Sequence, residues 1–483
     1  MSEYVVGIDM GSTSTKLLVA TPEGRQVLVV SRRSPWTNLD HGRAEMTAAE
    51  AIAVVRDLAA EADARLDEGY RVVALGVSGM AEAGVLLDEQ GSALAPIMAW
   101  FDPRGAAQIM STPESFRAEF PGRTGLPVGP LASIAKLLHL REQGISLAGT
   151  TFLNVPEFVV HALGGPRVAE YSLVSRTGLI DQDDSTPWQA ALDVLGVDEG
   201  ILGTLVSAGE PVGTLTDPDM PAGFRGAALT VAGHDHLVSA VAVGATHTGQ
   251  LYDSMGTAEA LVRVLDDTLP FDARERLAHA GINCVRHVIP GKYVLLAGTK
   301  SGLLMRRVLQ LLGITDAVGR TRIDDEAMAL PVLGTVSDAG LAVSGARNDD
   351  GVLKIVAQSD GLSPADLFAA SLRHGNDMLA ELMAVMDREV APPTSTVLTG
   401  GWSSMASVVR SRSALLPEVT VSTHDEGTAY GAALFAAFAA RSAGATASGS
   451  FADVANTFLS SSLEPAEHRS AVLASLTPTP ERS

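Results

Sequence analysis

The residues best suited to chemistry open the chain: Gly7-Ile8-Asp9-Met10-Gly11-Ser12-Thr13-Ser14-Thr15-Lys16, set between the apolar pairs Val5-Val6 and Leu17-Leu18. An acid at the end of one strand, then glycine and small hydroxyl residues, then a second strand, makes a tight hairpin. Gly11 tolerates positive φ, and Ser12, Thr13 and Ser14 bring N–H and hydroxyl donors without bulk. Such a loop wraps phosphate oxygens, with Asp9 facing the accompanying cation directly or through water. It is not a G-x-x-x-x-G-K-[ST] loop, because that spacing is absent and no helical pattern follows at once. An ordinary hairpin holding Asp and Gly explains the same residues.

A second acid follows the apolar run Leu229-Thr230-Val231-Ala232, in Gly233-His234-Asp235-His236. An Asp placed there can take a proton from a hydroxyl, the task of a base in phosphoryl transfer. His-x-His after a strand also fits a hydrolytic metal site. That site needs further ligands, and the 11 histidines form no second cluster of comparable density. Leu251-Tyr252-Asp253-Ser254-Met255-Gly256-Thr257 repeats the opening theme of strand, acid and Gly-Thr loop. Val397-Leu398-Thr399 ends in Gly400-Gly401-Trp402, where paired glycines admit a flat ligand close to the backbone. Strand-to-helix turns use the same pair.

Ser78-Gly79-Met80-Ala81-Glu82 closes another apolar run, and Trp100-Phe101-Asp102-Pro103-Arg104 follows a further apolar approach. Carboxylates accept hydroxyl hydrogens in pairs, Arg donates in a fork, and Trp covers a C–H face, which suits a polyhydroxylated ligand. A Trp-capped core edge with a solvated salt bridge is the competing account.

The elements that must hold these groups alternate. Residues 27–30 and 72–77 read as strands, with a helix between them that Thr47 and Glu50 cap as a box. Ile52, Val55, Leu58, Ala62 and Leu66 give that helix its apolar stripe. Strands, then helix, then strand indicate a mixed α/β sheet with functional groups at strand ends. Residues 298–302 precede a helix with Leu303, Leu304, Val308 and Leu311 as its apolar positions, and Ser363-Pro364-Ala365-Asp366 starts another. The closing helix, from Gly427 to about residue 440, is rich in Ala and can pack tightly on a sheet.

The 483 residues exceed what one core usually supports, so two domains of roughly 240 residues each are expected. A net charge of -21 disfavours nucleic-acid and anionic-membrane partners. The single cysteine, Cys284, excludes an internal disulfide and reads as a buried core thiol. No signal-like leader or bilayer-length apolar run is seen, which points to a soluble cytoplasmic protein.

In order along the chain, 7–16, 78–82, 100–104, 171–172 with 176–177, and 233–236, then 256–257, Gly302, 400–401 and 426–433, resemble the FGGY carbohydrate kinases of the actin-like ATPase superfamily. The resemblance implies an α/β fold of two ribonuclease-H-like domains with an interdomain cleft. Residues 1–243 would form the substrate-binding domain, 244–445 the nucleotide-binding domain, and 446–483 a partly flexible extension. Asp235 matches the catalytic base, and Asp9 with Asp235 the magnesium site, directly or through water. Gly11, Ser12, Thr13, Ser14 and Lys16 match the first phosphate loop, and Gly256 and Thr257 the second. Gly302, Gly400, Gly401 and Trp402 fall where the adenosine of ATP is held. Met80, Ala81, Glu82, Trp100, Asp102, Arg104, Asp235 and His236 fall at the sugar or polyol site.

The chain departs from that pattern in places. Ala81 stands where glycerol kinases carry an Arg before the Glu, and Met80 is not followed by the His common in ketopentose kinases. Residues 133–142 keep Ser133 and Lys136 of a family signature, but His139 replaces the usual Trp. The implied activity is transfer of the γ-phosphoryl of MgATP to a terminal hydroxyl of a ketopentose, pentitol or tetritol. The alternative is an actin-like-fold ATPase with a non-sugar acceptor or a regulatory sugar-binding role. Neither nucleic acid nor membrane is expected as a partner, and a homodimer is allowed.

Overall fold

The structure, a computed structural model, describes residues 2–331, 340–346, 352–422, 426–443 and 450–460. Its first mixed sheet contains β1 (Glu3–Met10), β2 (Ser14–Ala20), β3 (Gln26–Arg33), β4 (Arg71–Gly79) and β5 (Ala228–His234), with Gly213–Thr214 at one edge. β1 pairs antiparallel with β2 and parallel with β4, and β4 pairs parallel with β5. The second sheet contains β6 (Gln250–Met255), β7 (Glu259–Leu265), β8 (Tyr293–Thr299), β9 (Ser395–Thr399) and β10 (Val419–Val421), with Asn283–Arg286 at its edge.

The order β8-β7-β6-β9-β10 repeats β3-β2-β1-β4-β5, with the same alternation of two antiparallel and two parallel pairings. The two halves therefore share an architecture. Each sheet buries a continuous apolar layer; Val5, Val6, Ile8, Leu17 and Leu18 are fully shielded in the first.

The helices used below are α1 (Ala48–Asp63), α2 (Tyr171–Val174), α3 (Asp235–Ala242), α4 (Ser301–Leu311), α5 (Pro364–Met386), α6 (Ala406–Ser413), α7 (Gly427–Ala443) and α8 (Phe451–Ser460). Thr47 and Glu50 form the reciprocal cap expected for α1, and Ser363 with Asp366 does the same for α5. α1 ends before Leu66, because the chain turns away after Asp63. Leu311 is 66% exposed, so the apolar face of α4 runs through Leu304 and Val308 instead.

α7 does not lie on the second sheet, although it falls within 244–445. It returns to the first sheet and packs across β1, β4 and β5. Its alanines let the helix backbone approach closely, and the strands answer with Gly7 and Gly76. A β-carbon at either glycine would overlap the carbonyl oxygen of Ala429 or Ala432. α8 continues from it within the extension: Phe451 stacks on Phe435, and the Tyr430 hydroxyl is shared between the carbonyls of Gly24 and Phe458 at 2.9 and 3.0 Å. Residues 446–449 and 461–483 of the extension lie outside the described residues. Cys284 is buried, as expected. Among the described residues no helix is long and apolar enough to cross a membrane.

Candidate active site

Strand register assembles the first half of the site. Asp9 on β1 is opposite Ser78 on β4, and Ser78 is opposite Gly233 on β5. These three strands are parallel, so their carboxyl ends share one edge, where open α/β sheets place ligands. Ser78 Oγ donates to the Gly233 carbonyl at 2.9 Å, and Ser172 Oγ of α2 accepts the His234 N–H at 3.0 Å. The strand thus ends with Asp235 as the first residue of α3.

Asp235 acts electrostatically on Asp9, and the two carboxyls shift in opposite directions. Burial, the Asp235 charge and Glu426 push Asp9 up to about 8, against the opposing pull of Lys16. Burial also raises Asp235, but His236, His234, the His236 N–H and Arg176 outweigh it and hold the carboxyl below its ordinary value. Asp235 is therefore ionised at neutral pH. The His236 N–H donates to Asp235 Oδ1 at 2.7 Å. His234 is neutral, since burial lowers it to about 3, and its Nδ1 stands 3.5 Å from Asp235 Oδ1.

Around them, Gly11 presents its loop with Ser12 and Thr13 exposed and Ser14 half-buried. Ser34 braces that loop by donating from Oγ to the Gly11 carbonyl at 2.6 Å. Lys16 Nζ pairs with Glu426 at 2.5 Å, beside Asp9.

Met80 and Ala81 are buried, and Glu82 follows with φ of 63°, a left-handed conformation that costs a non-glycine residue about 1–3 kcal/mol. Its Oε1 accepts both Nε, at 2.6 Å, and Nη2 of Arg176. Asp102 is fully buried and uses both oxygens on Arg104, with Oδ2 also accepting the Ala44 N–H at 2.9 Å. Arg104 completes its set on Glu45 at 2.9 Å. Asp102 and Arg104 therefore satisfy each other and shape the loop. Trp100 is half-buried, and its carbonyl accepts from Lys136 Nζ at 3.2 Å. Burial lowers the Lys136 amine to about 8.

The second sheet contributes an equivalent edge. Gly256, Thr257 and Ala258 form the turn between β6 and β7, with Met255 opposite Glu259. β9 runs parallel to β6 and delivers Gly400 beside Met255. Gly302, in the first turn of α4, fits directly against the Gly256 carbonyl, and a β-carbon there would stand 2.9 Å from Trp402 Nε1. Gly256, Gly302, Gly400 and Trp402 thus converge, whereas Gly401 faces open space. Tyr252 joins the two edges: its hydroxyl donates to Ser239 Oγ of α3 at 2.7 Å and accepts from Thr399 Oγ1 at 3.1 Å.

Sequence reasoning assigned no role to Arg176, Lys136, Tyr252 or Glu259. Glu259 follows the second loop, is fully buried, and accepts from Thr299 Oγ1 at 2.5 Å and from Arg412 of α6. The usable signal for Arg176 and Lys136 was their place in segments 176–177 and 133–142; burial supplies the rest.

The donor set fits a divalent cation carried by a phosphate ligand. Asp9 Oδ1 is buried with no hydrogen-bond partner among the described residues, and the Asp235 carboxylate acts on it electrostatically. Magnesium is commonly held by one or two carboxylates plus substrate phosphates and water. Among the described residues no group of three or more His, Cys, Asp or Glu side chains is placed to hold a metal, so His234 and His236 do not extend into a zinc-type cluster.

Residues 4–242 match the FGGY family of carbohydrate kinases, N-terminal domain. A gluconokinase from Bacillus subtilis is 24% identical over 278 residues, covering 55% of this chain and 53% of that protein. A rhamnulokinase from Bacteroides thetaiotaomicron is 30% identical over 198 residues, covering 39% and 40%. The chain spans about half the length, or less, of these curated relatives. A solved xyloylose kinase from Brucella ovis superposes with a TM-score of 0.81 at 20% identity, covering 95% of this chain and 96% of that one, which shows the shared fold.

Proposed function

For a chain that belongs to the FGGY family of carbohydrate kinases, we propose transfer of the γ-phosphoryl group of MgATP to a terminal hydroxyl of a small sugar or polyol. The observation that carries this reading is the carboxylate pair at one strand edge: Asp235 opening α3 after β5, and Asp9 left with a buried oxygen unpartnered among the described residues. Asp235 takes the hydroxyl proton as the oxygen attacks the γ-phosphorus, and the bond to the bridging oxygen breaks to leave ADP. Magnesium, when bound with the nucleotide, would be held by Asp9 near Asp235 and would offset phosphate charge. The N–H and hydroxyl groups of Gly11, Ser12, Thr13 and Ser14 and the turn at Gly256 and Thr257 suit the phosphate oxygens. Gly302, Gly400 and Trp402 suit the adenosine.

We assign the substrate-binding unit to 1–243, and the nucleotide-binding unit to 244–445 without α7. The acceptor is taken as a ketopentose, pentitol or tetritol, and the setting as the cytoplasm. Magnesium-dependent ADP release across tetritols, pentitols, ketoses and sugar acids tests the reading. A strong responder is expected, and Asp235→Asn should lower its turnover by about 10²–10⁴-fold with ATP affinity nearly unchanged. Turnover of the variant within tenfold of wild type would remove Asp235 as the base.

A further inference from the structure

Arg176 follows α2, and its guanidinium is used on one side only. Nε and Nη2 both donate to Glu82 Oε1, whereas Nη1 is buried with no hydrogen-bond partner among the described residues. The side chain is 9% exposed, so water does not readily supply the missing acceptor. A buried donor left unmade is costly, and native structures retain one where something else completes it. The arginine also acts electrostatically on His234 and Asp235. Its guanidinium is thus bonded to Glu82 and close enough to Asp235 to act on its charge.

Two neighbouring positions offer no free side-chain donor. Ala81 is fully buried and carries none, and Arg104 spends Nε, Nη1 and Nη2 on Asp102 and Glu45. Lys136 Nζ already donates to the carbonyls of Trp100 and Pro130 at 3.2 and 3.0 Å.

We infer that Arg176 Nη1 is a substrate-binding donor, taking the hydroxyl or carbonyl oxygen on the carbon next to the reacting hydroxyl. The acceptor is then read as a vicinal pair of oxygens, one at Asp235 and its neighbour at Arg176. The ion pair with Glu82 fixes the fork so that one arm stays free. The inference rests on the kinase reading for the identity of the reacting hydroxyl.

The test compares the best acceptor with its deoxy analogue lacking that neighbouring oxygen, in wild type and in Arg176→Lys. Lysine keeps the positive partner of Glu82 but has no second arm. Wild type should bind the deoxy analogue about 10- to 100-fold more weakly, the range for a hydrogen bond to a charged group. In Arg176→Lys the KM of the full acceptor should rise by a similar factor and the deoxy penalty should vanish, with KM for ATP within threefold. A structural role would weaken both acceptors alike and leave the penalty in place, which overturns the assignment. So does a wild type that binds the deoxy analogue as well as its parent, a result that needs no folded variant. If wild type binds the acceptor without releasing ADP, the kinase reading fails, and the same comparison made as Kd by calorimetry still decides the role of Arg176.

Discussion

Replacing Gly302 by alanine probes whether the loop cluster of the second sheet positions the nucleotide. The new β-carbon would stand 2.9 Å from Trp402 Nε1 and 3.0 Å from the Gly256 carbonyl carbon, and it would overlap the carbonyl oxygen itself. Ordinary contact begins near 3.4 Å, so relief of that overlap separates α4 from the Gly256 turn by more than an ångström. The turn cannot yield by a side-chain rotation, because the obstacle is backbone and Gly256 N–H is bonded to the Ala258 carbonyl at 3.0 Å. A displacement of about 1 Å in a positioning group costs on the order of 100-fold in rate. We therefore expect kcat/KM for ATP to fall about 100-fold, or about 2.7 kcal/mol of transition-state stabilisation. Affinity for the acceptor, read by calorimetry without nucleotide, should stay within threefold, since Glu82 and Asp235 follow strands of the other sheet and Arg176 is bonded to Glu82. Coupled ADP release measures the first quantity and circular dichroism verifies the fold. A folded variant whose kcat/KM for ATP stays within threefold of wild type refutes the placement of the nucleotide against Gly302.

Two further substitutions address stability. Asp9 is raised to about 8 from an unfolded value near 3.8, so the folded state holds a proton that the unfolded chain has released. Its contribution is full below about pH 4 and is lost as pH rises towards 8, at up to about 1.36 kcal/mol per unit. Urea unfolding between pH 5 and 9 should show wild type losing stability relative to Asp9→Asn up to about pH 8 and running parallel above it; superimposable profiles would contradict the shift. Tyr430→Phe leaves the carbonyls of Gly24 and Phe458 without their shared donor and should cost about 1–3 kcal/mol. Hydrogen exchange should speed up in α8 with KM values unmoved, and unchanged protection there would mean the hydroxyl does not dock the helix.

Local pattern carried much of this protein in its sequence. The hairpin at Asp9, the caps at Thr47 and Ser363, and the glycines at strand ends follow from backbone freedom and short-range hydrogen bonding, which neighbouring residues decide among themselves. Motif order was legible for the same reason, and so was the repeated strand–acid–glycine theme that the two sheets share. Long-range pairing was not. That Ala44 and Glu45 complete the Asp102–Arg104 pair, that Arg176 crosses to Glu82 with one arm free, and that α7 returns to Gly7 and Gly76 all join residues far apart in the chain. The divergent titration of Asp9 and Asp235 belongs to this second group as well. Identical side chains separate only when burial, register and neighbouring charge are in place, and those are properties of the folded molecule.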